Sequence, residues 1–181
     1  MKTELSLLAA KCNGKVVRPS ANDVNGISID TRTLKPGNLY VALKGETHDG
    51  HAFVGAAVKA GAAAILVSSL PENDISASTG IILVSDTLAA LQAIAAARRN
   101  ELNSFFVGVT GSNGKTTTRS MVHHLLSEKH ICSTTAGNLN NHIGLPLTIM
   151  AIAEDAQYSV LEMGMNHSGE IRDLCRIARP D

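Results

Sequence analysis

Phe105-Phe106-Val107-Gly108-Val109-Thr110-Gly111-Ser112-Asn113-Gly114-Lys115-Thr116-Thr117 is the stretch on which the fold turns. A short apolar run gives way to a Gly-rich turn. A helical pattern then runs to about Lys129, with Met121, Val122, Leu125 and Leu126 as its expected inner face. Strand, glycine loop and helix in that order form a phosphate-binding unit. The glycines let backbone N–H groups approach phosphate oxygens, the lysine reaches terminal phosphates, and a threonine hydroxyl ligates Mg²⁺. The expected cofactor-binding residues are therefore Gly111, Ser112, Asn113, Gly114, Lys115, Thr116 and Thr117, with Lys115 catalytic. The string is a short variant, G-x-x-G-K-T, because Val109 stands five residues before Gly114. A helix that merely follows a Gly-rich turn is the competing reading.

A helix dipole contributes only about 0.3 to 2 kcal/mol toward an anion, too little to hold and polarise a triphosphate. Countercharge must come from Lys115 and a metal. In open α/β sheets the ligand lies at the carboxyl ends of the strands, and the run 158–162 delivers Glu162 to that edge. Glu162 is thus the expected catalytic carboxylate and, with Thr116 or Thr117, a Mg²⁺ ligand. A solvated strand-end carboxylate is the bland alternative. The same unit holds a strand at 131–134, a short helix from Pro146, and a helix capped by Ser168 with Ile171, Leu174 and Ile177 inward. His123, His124 and His130 lack metal-like spacing and receive no role, and His167 is a second-rank site residue. Three strands are fewer than a doubly wound sheet normally contains, so the protein is expected to continue past Asp181.

Upstream, an N-terminal helix precedes a strand at 28–32, a Lys35-Pro36-Gly37-Asn38 turn and a strand at 38–44. Asp49-Gly50-His51 opens an Ala- and Val-rich helix that stops at Gly61. The runs 63–67 and 81–84 are continuously apolar, as in strands buried on both faces. A helix capped by Asp86 then runs to about Asn100, with Arg98 and Arg99 at its negative end. Domains are expected at 1–84 and 104–181, joined by a connecting helix over 85–103, in an α/β architecture.

Composition limits the function classes. Lys plus Arg number 16 against 16 Asp plus Glu, so no net field draws the chain to nucleic acid or an anionic membrane. With 44% apolar and 3% aromatic residues the core is aliphatic and the chain ordered. Three scattered cysteines, Cys12, Cys132 and Cys175, read as reduced thiols of the cytoplasm. The only apolar run near the N-terminus, 5–10, is too short for a signal peptide.

The strings TGSNGKTT at 110–117, GNLNNHIGLPLT at 137–148 and EMGMNHSGEI at 162–171 resemble the Mur ligases. The segment IDTRTLKPGNLYVALKGETHDGHAF at 29–53 is similar to the UDP-binding domain of that family. Together they cover nearly the whole chain. The resemblance implies a small N-terminal α/β UDP-binding domain followed by the first part of a P-loop-type ATP-binding α/β domain, with ATP and Mg²⁺ as cofactors. It implies an amide ligase that adds D-alanyl-D-alanine to UDP-N-acetylmuramoyl-tripeptide through an acyl phosphate. The sequence leaves the oligomeric state open, with a monomer favoured, and the cysteine usage places the chain in the cytoplasm. Asn138, Asn140 and Asn141 would face the muramoyl peptide and the metal, and Thr31, Arg32, Gly45, Asp49 and Gly50 would line the UDP pocket. The residues by themselves leave plainer roles open: Thr31-Arg32 as a strand end, Asp49 as a helix cap, and the asparagines as loop residues tolerant of left-handed φ. Family members also carry a later metal-binding His, a carbamylated Lys and a C-terminal domain. These 181 residues are therefore expected to bind nucleotide weakly and not to complete ligation. Two other functions compete: a non-catalytic precursor-binding module, and the related ligase that adds the third, diamino acid residue. The latter is expected to carry adjacent threonines where this chain has GNLNN. A GTPase switch is disfavoured because no Asn-Lys-x-Asp string occurs in these residues.

Overall fold

A computed structural model describes residues 2–45, 47–72 and 75–181; Glu46, within the 29–53 segment, lies outside the described residues. The chain divides into two compact units, Met1–Ile94 and Ala95–Asp181.

The first unit is built on a five-stranded sheet of order β1-β5-β4-β3-β2, comprising β1 (Lys15–Arg18), β2 (Ile27–Ser28), β3 (Leu39–Val41), β4 (Ala64–Val67) and β5 (Gly80–Leu83). The pairs from β2 to β5 are parallel, and β1 closes the edge antiparallel to β5. β3 and β4 are buried along their whole length, as their unbroken apolar runs require of central strands. Tyr40, Ala42, Val54, Ala57, Ile65 and Val67 form one continuous core beneath α2 (Val54–Lys59). α1 (Leu5–Lys11) packs on β1 and β5.

Local chemistry sets several boundaries here. The turn before β3 closes through Asn38 N–H to Lys35 C=O at 3.0 Å, with Gly37 at φ 88°. β2 stops at Ser28, so the expected strand at 28–32 is corrected. Asp30 Oδ1 accepts the Arg32 N–H at 2.9 Å and curls the backbone into an Asx turn, removing it from the ladder. Asp49 caps the 3₁₀ turn Gly50–Phe53 that leads into α2, accepting the His51 N–H. Asp86 Oδ1 accepts from the N–H groups of Leu88 and Ala89 at the start of α3 (Thr87–Glu101).

The second unit carries a parallel sheet of order β6-β8-β7, from β6 (Phe105–Val109), β7 (Cys132–Thr134) and β8 (Tyr158–Glu162). α4 (Lys115–Ser127) packs across β8, β7 and β6; α5 (Gly144–Ala151) packs on β8 and on α6 (Glu170–Ala178). Three expectations are corrected here. Met121 and Leu125 are 61% and 70% exposed; the stripe turned inward is Lys115, Arg119, Val122 and Leu126, at i, i+4, i+7 and i+11. α6 is not capped by Ser168: its N-cap is Gly169, and the Glu170 carboxylate accepts the N–H groups of Asn166 and His167 instead. α5 begins two residues before Pro146, which sits in the first turn where its missing N–H costs nothing. Within this unit, Arg99 donates to the carbonyls of Ala178 and Arg179 at 2.8 and 2.9 Å and stacks 3.9 Å over Phe106. No helix among the described residues is long and apolar enough to cross a membrane.

Candidate active site

β6 ends at Val109 and α4 starts at Lys115, so the loop 110–114 lies at the carboxyl edge of the second sheet. Gly114 takes a left-handed φ of 76° as the N-cap of α4, and with no side chain it leaves the first-turn N–H groups uncapped by its own residue. Ser112, Asn113, Thr116 and Thr117 are exposed around this opening. Lys115 Nζ folds back to the Gly111 carbonyl at 2.8 Å, spanning the loop.

Glu162 ends β8 directly beside Val109: the two are register partners, and Met163 N–H donates to Val109 C=O at 2.9 Å. The carboxylate is therefore delivered next to the strand that feeds the loop. It is only 2% exposed, which makes the solvated strand-end reading wrong. Asn140 Nδ2 donates to its Oε1 at 2.8 Å, and its own N–H donates to Thr135 Oγ1 at 2.9 Å. Oε2 has no hydrogen-bond partner among the described residues, and neither does Nε of Arg119, which lies 3.9 Å away. Attraction across 3.9 Å amounts to about 4 kcal/mol at an effective dielectric near 20. Burying two ions costs several kcal/mol each. The pair alone does not offset its own burial. A buried carboxylate oxygen left without a hydrogen bond beside the loop 110–114 has the hard oxygen-donor chemistry that Mg²⁺ selects, so the residues fit the metal.

The asparagines separate in role. Asn140 binds Glu162 and its carbonyl accepts the Gly164 N–H at 2.8 Å. Asn141 turns its Oδ1 to the N–H groups of Ile143 and Gly144, at 3.1 and 2.8 Å, and so caps the start of α5. Asn138 is exposed. Sequence reasoning passed over Arg119 and Thr135. Arg119 stands one helical turn after Lys115 on the same face, a spacing that carries the signal; nothing local marks Thr135.

In the first unit, Thr31 and Arg32 follow β2, while Gly45, Asp49 and Gly50 follow β3, so all five stand at the carboxyl edge of adjacent parallel strands. Lys44 and Asp49 bridge, and Gly45 N–H donates to His48 C=O at 2.9 Å, which brings Lys44-Gly45 against His48-Asp49. A side chain at Gly50 has no room, since a Cβ there would stand 2.7 Å from the Leu43 carbonyl oxygen. His51 Nδ1 meets Asp49 Oδ1 at 2.6 Å while Nε2 accepts the Ser68 N–H at 2.9 Å, fixing the ring tautomer and tying the loop to the end of β4. The Asp49 carboxyl is held below its ordinary pKa by the His51 N–H and ring. The Arg32 guanidinium is occupied by Asp30, at 2.6 to 3.0 Å, and holds that carboxyl down to about 2. Burial, then the charges of Asp30 and Asp49, push the Tyr40 hydroxyl up, so both carboxylates act on one group at this edge. A polar cavity of about 590 Å³ lies at the opposite, amino edge, lined by Asn22, Asp23, Asn25, Ser76 and Thr79. No cluster of three or more metal-ligating side chains occurs among the described residues.

Residues 109–181 match the Mur ligase middle domain, and residues 23–99 match the domain described as Mur ligase family, catalytic domain. The UDP-N-acetylmuramoyl-tripeptide--D-alanyl-D-alanine ligase of Bacillus subtilis is 45% identical over 187 aligned residues, covering 100% of this chain and 40% of that protein. A crystal structure of MurF from Acinetobacter baumannii superposes with a TM-score of 0.89 at 33% identity, over 99% of this chain and 40% of the other. MurF from Thermotoga maritima, solved in complex with ADP, gives 0.75 at 34% identity over 87% of this chain and 36% of the other. The chain spans about 40% of the length of the first two of these relatives.

Proposed function

This chain belongs to the Mur ligase family, and on that footing we propose that it carries the precursor- and nucleotide-binding parts of an ATP-dependent ligase. The reaction is the joining of D-alanyl-D-alanine to UDP-N-acetylmuramoyl-tripeptide. The first unit takes the UDP moiety at Thr31, Arg32, Gly45, Asp49 and Gly50, and the second takes ATP at the loop 111–117. The γ-phosphate passes to the terminal carboxylate of the tripeptide; the dipeptide amine attacks the acyl phosphate; the tetrahedral intermediate then expels phosphate and leaves an amide.

Phosphoryl transfer asks of a protein mainly positioning and neutralisation of charge. Lys115 spans the loop and supplies one mobile cation, which exchanges the Gly111 carbonyl for a phosphate oxygen. The N–H groups at the start of α4 orient the phosphates. Glu162, with Thr116 or Thr117, would hold Mg²⁺, which when bound neutralises charge on the phosphates. Asn140 keeps the Glu162 carboxylate turned by binding Oε1, so that Oε2 stays open.

The observation that carries this reading is the buried Oε2 of Glu162, without a hydrogen-bond partner among the described residues, beside the strand that enters the loop. Calorimetric titration with ADP, with and without Mg²⁺, tests it. Lys115→Ala is expected to weaken binding about 10- to 100-fold in both conditions, as loss of a charge-assisted contact does. Glu162→Gln is expected to remove the Mg²⁺-dependent part alone. Wild-type affinity in Lys115→Ala would exclude the loop as the nucleotide site.

A further inference from the structure

We propose that Arg119 is a positioning residue that locks the metal-binding carboxylate of Glu162 to the helix that follows the phosphate loop, an inference that rests on the nucleotide-binding function proposed above. Arg119 is 9% exposed, and it stands on α4 one turn beyond Lys115. Its Nη1 donates to the carbonyl of Thr135 and, at 3.4 Å, to that of Gly137. Both carbonyls belong to the segment that supplies the direct partners of Glu162: the Thr135 hydroxyl accepts the Glu162 N–H, and the Asn140 amide binds Oε1. One guanidinium thus ties α4 to the 135–140 segment, and that segment sets the carboxylate.

The second link is direct. Nε of Arg119 and Oε2 of Glu162 face each other at 3.9 Å, too far for a hydrogen bond, and each is buried with no other partner among the described residues. The fork of an arginine reaches backbone carbonyls and a carboxylate at once; a lysine places one point charge and serves one of them. The phosphates at the start of α4 and the carboxylate at the end of β8 are therefore held in a single frame. Partners standing behind a metal ligand in this way change metal affinity by about 10- to 100-fold when removed.

The test is the Mg²⁺ concentration at which ADP binding is half-maximal, measured by calorimetry on the wild-type chain, Arg119→Met and Arg119→Lys, together with ADP binding in EDTA. Arg119→Met is expected to raise that Mg²⁺ concentration at least ~10-fold, and Arg119→Lys ~3-fold or more. Binding in EDTA, which reports the loop and Lys115, is expected to change less than ~3-fold in both. A role in folding alone would lower Tm and weaken both kinds of binding together. Such parallel loss, or wild-type Mg²⁺ dependence in both variants, overturns the inference. If Arg119→Met does not fold, Arg119→Lys decides by the same criterion. A wild-type chain that binds no ADP in either condition overturns the proposed function and this inference with it, whereas unchanged variants of a binding chain overturn this inference alone.

Discussion

The two units hold their carboxylates by opposite means. In the first, Asp30 pairs with Arg32 and Asp49 with His51, each two residues along the chain and each open to solvent. In the second, Glu162 is buried and held by Asn140 and Thr135, 22 and 27 residues away, and by Arg119 on α4. Exposed pairs made within a turn form as soon as the turn does, contribute little to stability, and exchange readily for a ligand. Buried partners drawn from separate elements form only with the whole sheet, and losing one leaves the others unsatisfied in low dielectric. The first arrangement leaves side chains that can change partners at little cost; the second fixes a carboxylate in one orientation.

Removing one carboxylate from each unit puts that contrast to the test. Glu162→Leu leaves Arg119 buried without its countercharge and Asn140 without its acceptor, so a loss of about 3 to 5 kcal/mol is expected in denaturant unfolding of the second unit. A loss below about 1 kcal/mol would mean that the cluster is hydrated and the contrast with the first unit false.

Gly50→Ala probes a place at the carboxyl edge where the first unit is as unforgiving as the second, because the added methyl meets the Leu43 carbonyl at 2.7 Å. The expected cost is about 1 to 3 kcal/mol from overpacking against backbone, seen as a lower Tm. An unchanged Tm would show that the backbone around Leu43 yields freely.

The smallest effect belongs to Asp30→Asn, expected to shift Tm by less than about 2 °C at neutral pH because the pair is exposed. Its sign appears in acid. Asp30 has a folded pKa of about 2, below its ordinary 3.8, so its contribution is full above about pH 4 and is lost as pH falls toward 2. Urea titrations at neutral pH and near pH 2.5 should show the difference between wild type and Asp30→Asn shrinking in acid, and growth of the gap would contradict the pairing.

Much of this was legible beforehand, for a local reason. The strand at 105–109, the glycine loop, the Asp86 cap and the arrival of Glu162 at the carboxyl edge follow from short-range patterns. The inner face of α4 was not legible, because a search for apolar residues passes over a stripe that includes Lys115 and Arg119 and selects the neighbouring Met121 and Leu125. The asparagine loop was half legible: its resemblance to the family pointed to a site while its residues alone allowed a plain loop, and only the fold set Asn140 against Glu162 and Asn141 at the start of α5.

Sequence alone determined the order of strand, glycine loop and helix, and the edge of the sheet at which Glu162 arrives, since both depend on backbone preferences within a few residues. Tertiary structure alone decided that Arg119, Thr135 and Asn140 converge on one buried carboxylate. Those side chains come from a helix, a strand end and a loop, and they meet only when β7 and β8 lie side by side beneath α4.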